Sequence, residues 1–199
     1  ITAGAEIIIQ VENDLDFLLI FWACILGGLR VVLLPYAKNQ QAQGAIKLVL
    51  GMMENPYICV SAKENSKIEY CKKYNFSIGR VIEVSEPVSN MDVNLINMYD
   101  SKPDDVAVIQ FSSGSTGTPK GVCTTHANIL SNAQAVAERI NLTSKDTTLC
   151  WLPLTHNLAL LGNNMTTTYV SCNQVIMPTS DFLVNPLSWF KEASNRKVT

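Results

Sequence analysis

The chain has 199 residues, 47% of them hydrophobic, and a formal net charge of −2. That length and apolar content suit one good-sized domain with its own core and exclude a disordered tail. No basic stripe runs along it, Lys72-Lys73-Tyr74 being the nearest approach, so the composition argues against nucleic-acid binding.

In chain order, Ile7 to Val11 reads as a strand rich in β-branched residues. Asn13 or Asp14 can cap the next helix, which is apolar almost all round and therefore buried on several sides. Its stretch from Phe17 to Leu29 holds 13 uncharged residues between Asp16 and Arg30, short of the roughly 18 that a membrane span needs. No basic segment precedes it, so it is no signal peptide. Gly27-Gly28 ends the helix. Val31 to Leu34 is the next strand, closed by Pro35. A helix follows over 40–52, a strand over 57–61, a polar helix over 63–74 and a strand over 80–85. A loop spans 86–102, with Pro87 and Pro103 near its ends. Val106 to Phe111 is the clearest strand. Beyond it come a helix over 126–140, a strand over 148–152, a helix over 157–170, a strand over 174–177 and a last helix over 181–194.

This alternation predicts an α/β fold, a largely parallel sheet flanked by helices. No short internal repeat or low-complexity tract is present. Cys24, Cys59, Cys71, Cys123, Cys150 and Cys172 lie far apart with no C-x-x-C pair, and a chain this apolar needs no disulfide staples. A reducing, cytoplasmic setting is expected. His126 and His156 have no ligand-like spacing to a Cys pair, so no metal site is expected. The chain starts at Ile1 and ends directly after a helical pattern, and it reads as an excerpt of something longer.

The informative segment is Ile109-Gln-Phe-Ser-Ser-Gly-Ser-Thr-Gly-Thr-Pro-Lys-Gly-Val122, expected as a partly exposed loop between strand and helix. Gly114, Gly117 and Gly121 let the backbone turn tightly and present N–H groups to an anion. Ser112, Ser113, Ser115, Thr116 and Thr118 add hydroxyls, and Lys120 adds a positive charge. Each hydrogen bond to a charged phosphate oxygen contributes about 1.5–3 kcal/mol, so several together hold a triphosphate. A Walker A loop requires Gly before the lysine, where Pro119 stands, and Ser or Thr after it, where Gly121 stands. The dinucleotide spacing G-x-G-x-x-G fails as well. The bland alternative is a flexible Gly/Ser linker, but a linker rarely joins a buried strand to a helix or contains Pro-Lys-Gly.

Ser112-Ser-Gly-Ser-Thr-Gly-Thr-Pro-Lys-Gly121 resembles the signature loop of the adenylate-forming superfamily: acyl-CoA ligases, fatty acyl-AMP ligases and adenylation domains of peptide synthetases. Ser112 stands where that family often has Thr. The following Thr125-His126-Ala-Asn128-Ile-Leu130 is similar to the family's start of the next helix, where His126 caps or packs. Trp151-Leu-Pro-Leu-Thr-His-Asn-Leu-Ala-Leu-Leu-Gly162 is similar to the W-L-P-x-x-H-D-M-G-L-I-G stretch of fatty acyl-AMP ligases and of loading domains on polyketide and peptide synthetases. The run from Ile176 to Trp189 continues the likeness. Asn157, Leu158 and Ala159 depart from the pattern, replacing Asp, Met and Gly, and Asn163-Asn164 is unusual inside an expected apolar helix.

The resemblance implies a partial N-terminal AMP-binding subdomain over 1–199, with the adenine turn, ribose-binding Asp, hinge, adenylation lysine and lid beyond Thr199. It implies ATP with Mg²⁺, phosphates held by Ser112 to Thr118, Lys120 and Gly121, and His156 as a catalytic side chain at the acyl carboxylate; a core or capping histidine is the alternative. It further implies a carboxylic acid substrate, fatty in the closest branch, and transfer of its acyl group to a phosphopantetheine arm on a carrier protein, or to coenzyme A. An acyl-CoA ligase or amino-acid adenylation domain stays open, as does a degenerate module that binds nucleotide or serves as a scaffold. The fragment alone is expected to be inactive.

Overall fold

Six strands of the first part of the chain line up in one sheet, and a computed structural model describes residues 1–37, 39–62, 67–75, 77–84, 98–112 and 119–199. Two units divide the chain, Ile1–Thr125 and His126–Thr199. In the first unit the strands are β1 (Glu6–Gln10), β2 (Arg30–Leu33), β3 (Tyr57–Ser61), β4 (Val81–Val84), β5 (Val106–Ser112) and β6 (Lys120–Thr125), in the order β4-β3-β1-β2-β5-β6. Every neighbouring pair is parallel except β5 with β6. The expected α/β fold with a mostly parallel sheet flanked by helices is what the chain adopts.

Helices α1 (Asp14–Leu26), α2 (Gln40–Leu50) and α3 (Lys67–Tyr74) supply the crossovers. The step from β1 to β2 runs one way along the sheet, and the step from β2 to β3 runs back past β1. Right-handed crossovers therefore place α1 on one face and α2 on the other. The alternation of side chains confirms it. Ile8, Val32, Ile58 and Val60 form a core with Ile46 and Val49 of α2 and with Tyr74 of α3. The intervening Ile7 and Cys59 instead share the lining of a cavity of about 560 Å³ with Ile20 and Cys24 of α1. Burial pushes the Cys24 and Cys59 thiols up to about 12, so both stay protonated and serve as packing residues.

Local chemistry sets the ends of α1. The Asn13 side chain accepts from the N–H groups of Leu15 and Asp16 at 2.9 and 3.0 Å, a cap that contributes about 1 kcal/mol. At the other end Leu29 N–H donates to Cys24 O and Gly28 N–H to Ile25 O, the paired bonds of a Schellman turn. Gly28 occupies its left-handed position at φ +71°, and a Cβ there would overlap the Tyr99 ring. The buried Gln10 ties down the segment after β2: its Nε2 donates to Pro35 O and its Oε1 accepts from Ala37 N–H, both at 3.2 Å.

The second unit contains α4 (His126–Ile140), β7 (Thr147–Cys150), a π-helical stretch (Leu158–Asn164), α5 (Met165–Val170), β8 (Asn173–Ile176), α6 (Thr179–Val184) and α7 (Leu187–Asn195). β7 and β8 pair in parallel. Ile129, Ala133 and Ala137 are the buried residues of α4, four apart and therefore on one face.

Three expectations need correction. The glycine-rich segment does not lead straight into a helix: Lys120 to Thr125 forms β6, antiparallel to β5, before α4 begins. The β-branched Val122, Thr124 and Thr125 suit a strand, and pairing with β5 decides the matter. The helix over 157–170 is π-helical in its first half and α-helical only from Met165. The last helix is two, α6 and α7, broken at Asn185-Pro186. The residue before a proline is disfavoured in helical conformation, and Asn185 is extended at φ −145° and ψ 91°. The helix start at 63–66, the strand end at 85 and positions 86–97 of the loop over 86–102 lie outside the described residues.

Candidate functional site

Ser113, Gly114, Ser115, Thr116, Gly117 and Thr118 lie outside the described residues. The two ends of their loop are described. Ser112 closes β5 and Lys120 opens β6, and the two are register partners; Phe111 faces Gly121 in the same way. The loop therefore bridges an antiparallel pair, with both its ends held by the sheet. β6 is the outermost strand, and Lys120 and Gly121 are exposed along it. A Cβ on Gly121 would lie 3.5 Å from the Phe111 ring, ordinary contact, so packing alone does not require glycine there. An exposed lysine beside a segment of four hydroxyl residues and two glycines suits an anion and offers no carboxylate to repel one.

His156 sits in the second unit, at the end of a turn in which its N–H donates to Pro153 O at 2.8 Å. Its carbonyl accepts from both Ala159 and Leu160 N–H at 3.1 Å. Its Nδ1 accepts from Leu158 N–H at 3.2 Å. That bond assigns the neutral ring's proton to Nε2. The side chain is exposed, so Nε2–H points a donor away from the chain's own backbone. The ring lies outside the core, and its Nδ1 accepts a backbone N–H at the start of the helical stretch, as a capping side chain does.

The stretch before His156 is firmly seated. Trp151 stacks on Phe182 of α6 with ring centroids 3.8 Å apart and planes 11° from parallel. Thr179 Oγ1 donates to Trp151 O at 2.8 Å, and Leu154 is buried. After His156, Asn157 is exposed and makes no capping bond, Leu158 is exposed, and Ala159 is fully buried. Sequence reading passed over the hydrogen bonding beneath this stretch, where Asn163, Asn164 and Gln174 join. The Asn163-Asn164 pair inside an apolar run was its only signal.

Among the described residues no three His, Cys, Asp or Glu side chains gather into a metal-binding group, and no helix is long and apolar enough to cross a membrane.

Comparison with known proteins bears on the family and the fold. The medium-chain-fatty-acid–[acyl-carrier-protein] ligase TtuA of Teredinibacter turnerae is 34% identical over 99 residues, 50% of this chain and 15% of that protein. The nonribosomal peptide synthetase atrA of Aspergillus terreus is 28% identical over 198 residues, 98% of this chain and 20% of its own. The solved structure of McyG A-PCP complexed with phenylalanyl-adenylate superposes with a TM-score of 0.90 at 30% identity, covering 100% of this chain and 32% of the other. The chain thus spans a third or less of the length of these relatives. The AMP-binding enzyme family matches across residues 1–199. A glycine- and hydroxyl-rich bridge between β5 and β6, a matching fold and a match over the whole chain lead to one conclusion: the chain belongs to the AMP-binding enzyme family.

Proposed function

We propose that the complete protein activates a fatty acid with ATP as an acyl-AMP and passes the acyl group to the phosphopantetheine thiol of a carrier protein in the cytoplasm. In this reading residues 1–199 are part of the N-terminal AMP-binding subdomain. The observation that carries it is His156, exposed in a W-L-P-x-x-H stretch with its Nε2–H turned outward. The relatives named as a fatty-acid ligase and a peptide synthetase support carrier-bound products.

The chemistry follows from charge. A carboxylate oxygen attacks the α-phosphorus, the bond to the bridging oxygen breaks, and pyrophosphate leaves. Ser112 to Thr118, Lys120 and Gly121 hold the β- and γ-phosphates, so the leaving charge stays matched by donors already in place. Mg²⁺, when bound, neutralises further phosphate charge. His156 donates from Nε2 to the acid's carboxylate region and orients it for attack. In the second step a thiolate attacks the acyl carbon and AMP departs.

A second reading, a non-catalytic nucleotide-binding module, is favoured by Asn157 and Ala159, which depart from the family's Asp and Gly. Pyrophosphate exchange by the full-length protein with a panel of fatty and amino acids tests both readings. Exchange with fatty acids, followed by loading of a holo carrier protein in preference to coenzyme A, supports the first. Preference for coenzyme A or for an amino acid assigns the protein to another branch. ATP binding without exchange supports the second.

A further inference from the structure

We propose that Asn164 and Gln174 are positioning residues: a part-buried amide clamp that fixes the π-helical stretch after His156 and so sets how the acid is held. The inference rests on the acid-activation reading for its consequence, though not for its geometry.

A π-helix is rare and usually a single-turn bulge, often at functional sites. Here it spans seven residues, Leu158–Asn164. Its last residue, Asn164, is 4% exposed. Asn164 Nδ2 donates to Gln174 Oε1 at 2.5 Å, and Gln174 Nε2 donates to Asn163 Oδ1. One side chain of β8 thus grips both asparagines. Three hydroxyls secure the junction with α5: Thr166 Oγ1 donates to Gly162 O at 2.5 Å, and Thr167 and Thr168 Oγ1 donate to Asn164 O at 2.8 and 2.9 Å. These carbonyls sit where the i+5 ladder gives way to the i+4 ladder, and threonine back-bonding of this kind bends a helix.

The cluster is not the most stable filling for that space. Asn164 Oδ1 and Thr148 Oγ1 are buried without a hydrogen-bond partner, and Thr148 is the register partner of Gln174. Replacing both members of a buried polar pair by apolar groups is often neutral or stabilising. What the amides add is geometry. His156 leads into that stretch: its carbonyl accepts from Ala159 and Leu160 N–H, and its Nδ1 from Leu158 N–H. Relaxing the π stretch to an α-helix would shift the frame by one residue, turning side chains by about 100° relative to the anchored Trp151.

The test uses the full-length protein with three variants. Gln174→Leu breaks both amide bonds. Gln174→Glu keeps the acceptor for Asn164 and, with the Asn163 amide turned over, the second bond. The double variant N164L/Q174L removes the buried Asn164 amide together with its partner and leaves only the half-buried Asn163 to bond water, and so keeps the fold where the single one does not. Pyrophosphate exchange is measured against acid and against ATP, and amide hydrogen exchange is followed over residues 157–165. We expect the leucine variants to raise the KM for acid roughly 10- to 100-fold, the cost of misplacing a reactant by about 1 Å, with the KM for ATP unchanged. Exchange over 157–165 should accelerate, and Gln174→Glu should restore wild-type behaviour in both measurements. A folded double variant with wild-type acid KM, an equal rise in both KM values, or unchanged amide exchange would overturn the clamp. A wild-type protein that exchanges with no acid would overturn the acid-activation reading instead, and amide exchange would still decide the clamp.

Discussion

The N–H of Leu158 donates to Nδ1 of His156 across 3.2 Å, which leaves Nε2–H as the one donor the ring can offer a ligand. His156→Ala in the full-length enzyme should then slow adenylate formation by about 10²–10³, the range for losing one preorganised donor. ATP affinity by calorimetry should stay at the wild-type value. Pyrophosphate release at the normal rate would return His156 to a structural role.

Lys120 opens the edge strand β6 and is exposed, so its charge is available to phosphate and its removal costs the core nothing. Lys120→Ala should weaken ATP binding by about 10- to 100-fold, the equivalent of one charge-assisted bond. Gly117→Val, in the same loop, should act likewise by blocking close approach of the backbone. Thermal midpoints should barely move. Wild-type ATP affinity in either variant would show that the loop does not cradle the phosphates.

Gly28 combines a left-handed backbone at φ +71° with the Tyr99 ring where a Cβ would sit. Gly28→Ala should destabilise the fold by about 1–3 kcal/mol. Gly44→Ala is the control. Gly44 lies within α2 with open space around it, and the change should stabilise by about 0.5–1 kcal/mol. Denaturant unfolding of both variants reads the difference; equal midpoints would contradict the packing described.

Asp146 accepts from the Thr143 hydroxyl, the Thr199 hydroxyl and the Thr143 N–H, each at 2.7 Å. The Thr143 hydroxyl first, then Thr199, then the Thr143 backbone hold its carboxyl below the usual range. A carboxyl whose folded value is depressed stabilises the fold above its unfolded value of about 3.9 and loses that contribution as pH falls through the folded value. Asp146→Asn should therefore lower the melting temperature at neutral pH, and the gap should close as the solution is taken well below pH ~4. A gap that is constant with pH would mean these bonds do not depend on charge.

The alternation of β-branched runs and helices was written plainly enough in the residues to predict the α/β class, because period and capping act locally. Asn13 before α1 and Gly27-Gly28 after it could be read without coordinates for the same reason. The glycine- and hydroxyl-rich segment with Lys120 suggested an anion-binding loop through its residue types, and its likeness to the adenylate-forming signature pointed to the family. Other features depended on partners distant in the chain. Val122 to Thr125 became a strand because β5 lay ready to pair with it. Leu158 to Asn164 became π-helical where Gln174, ten residues beyond Asn164, bonds its amide. The outward Nε2–H of His156 follows from a backbone N–H placed by that same helical frame. Composition and periodicity report what a segment prefers by itself; which hydrogen bonds it completes is settled only when the sheet supplies the partner.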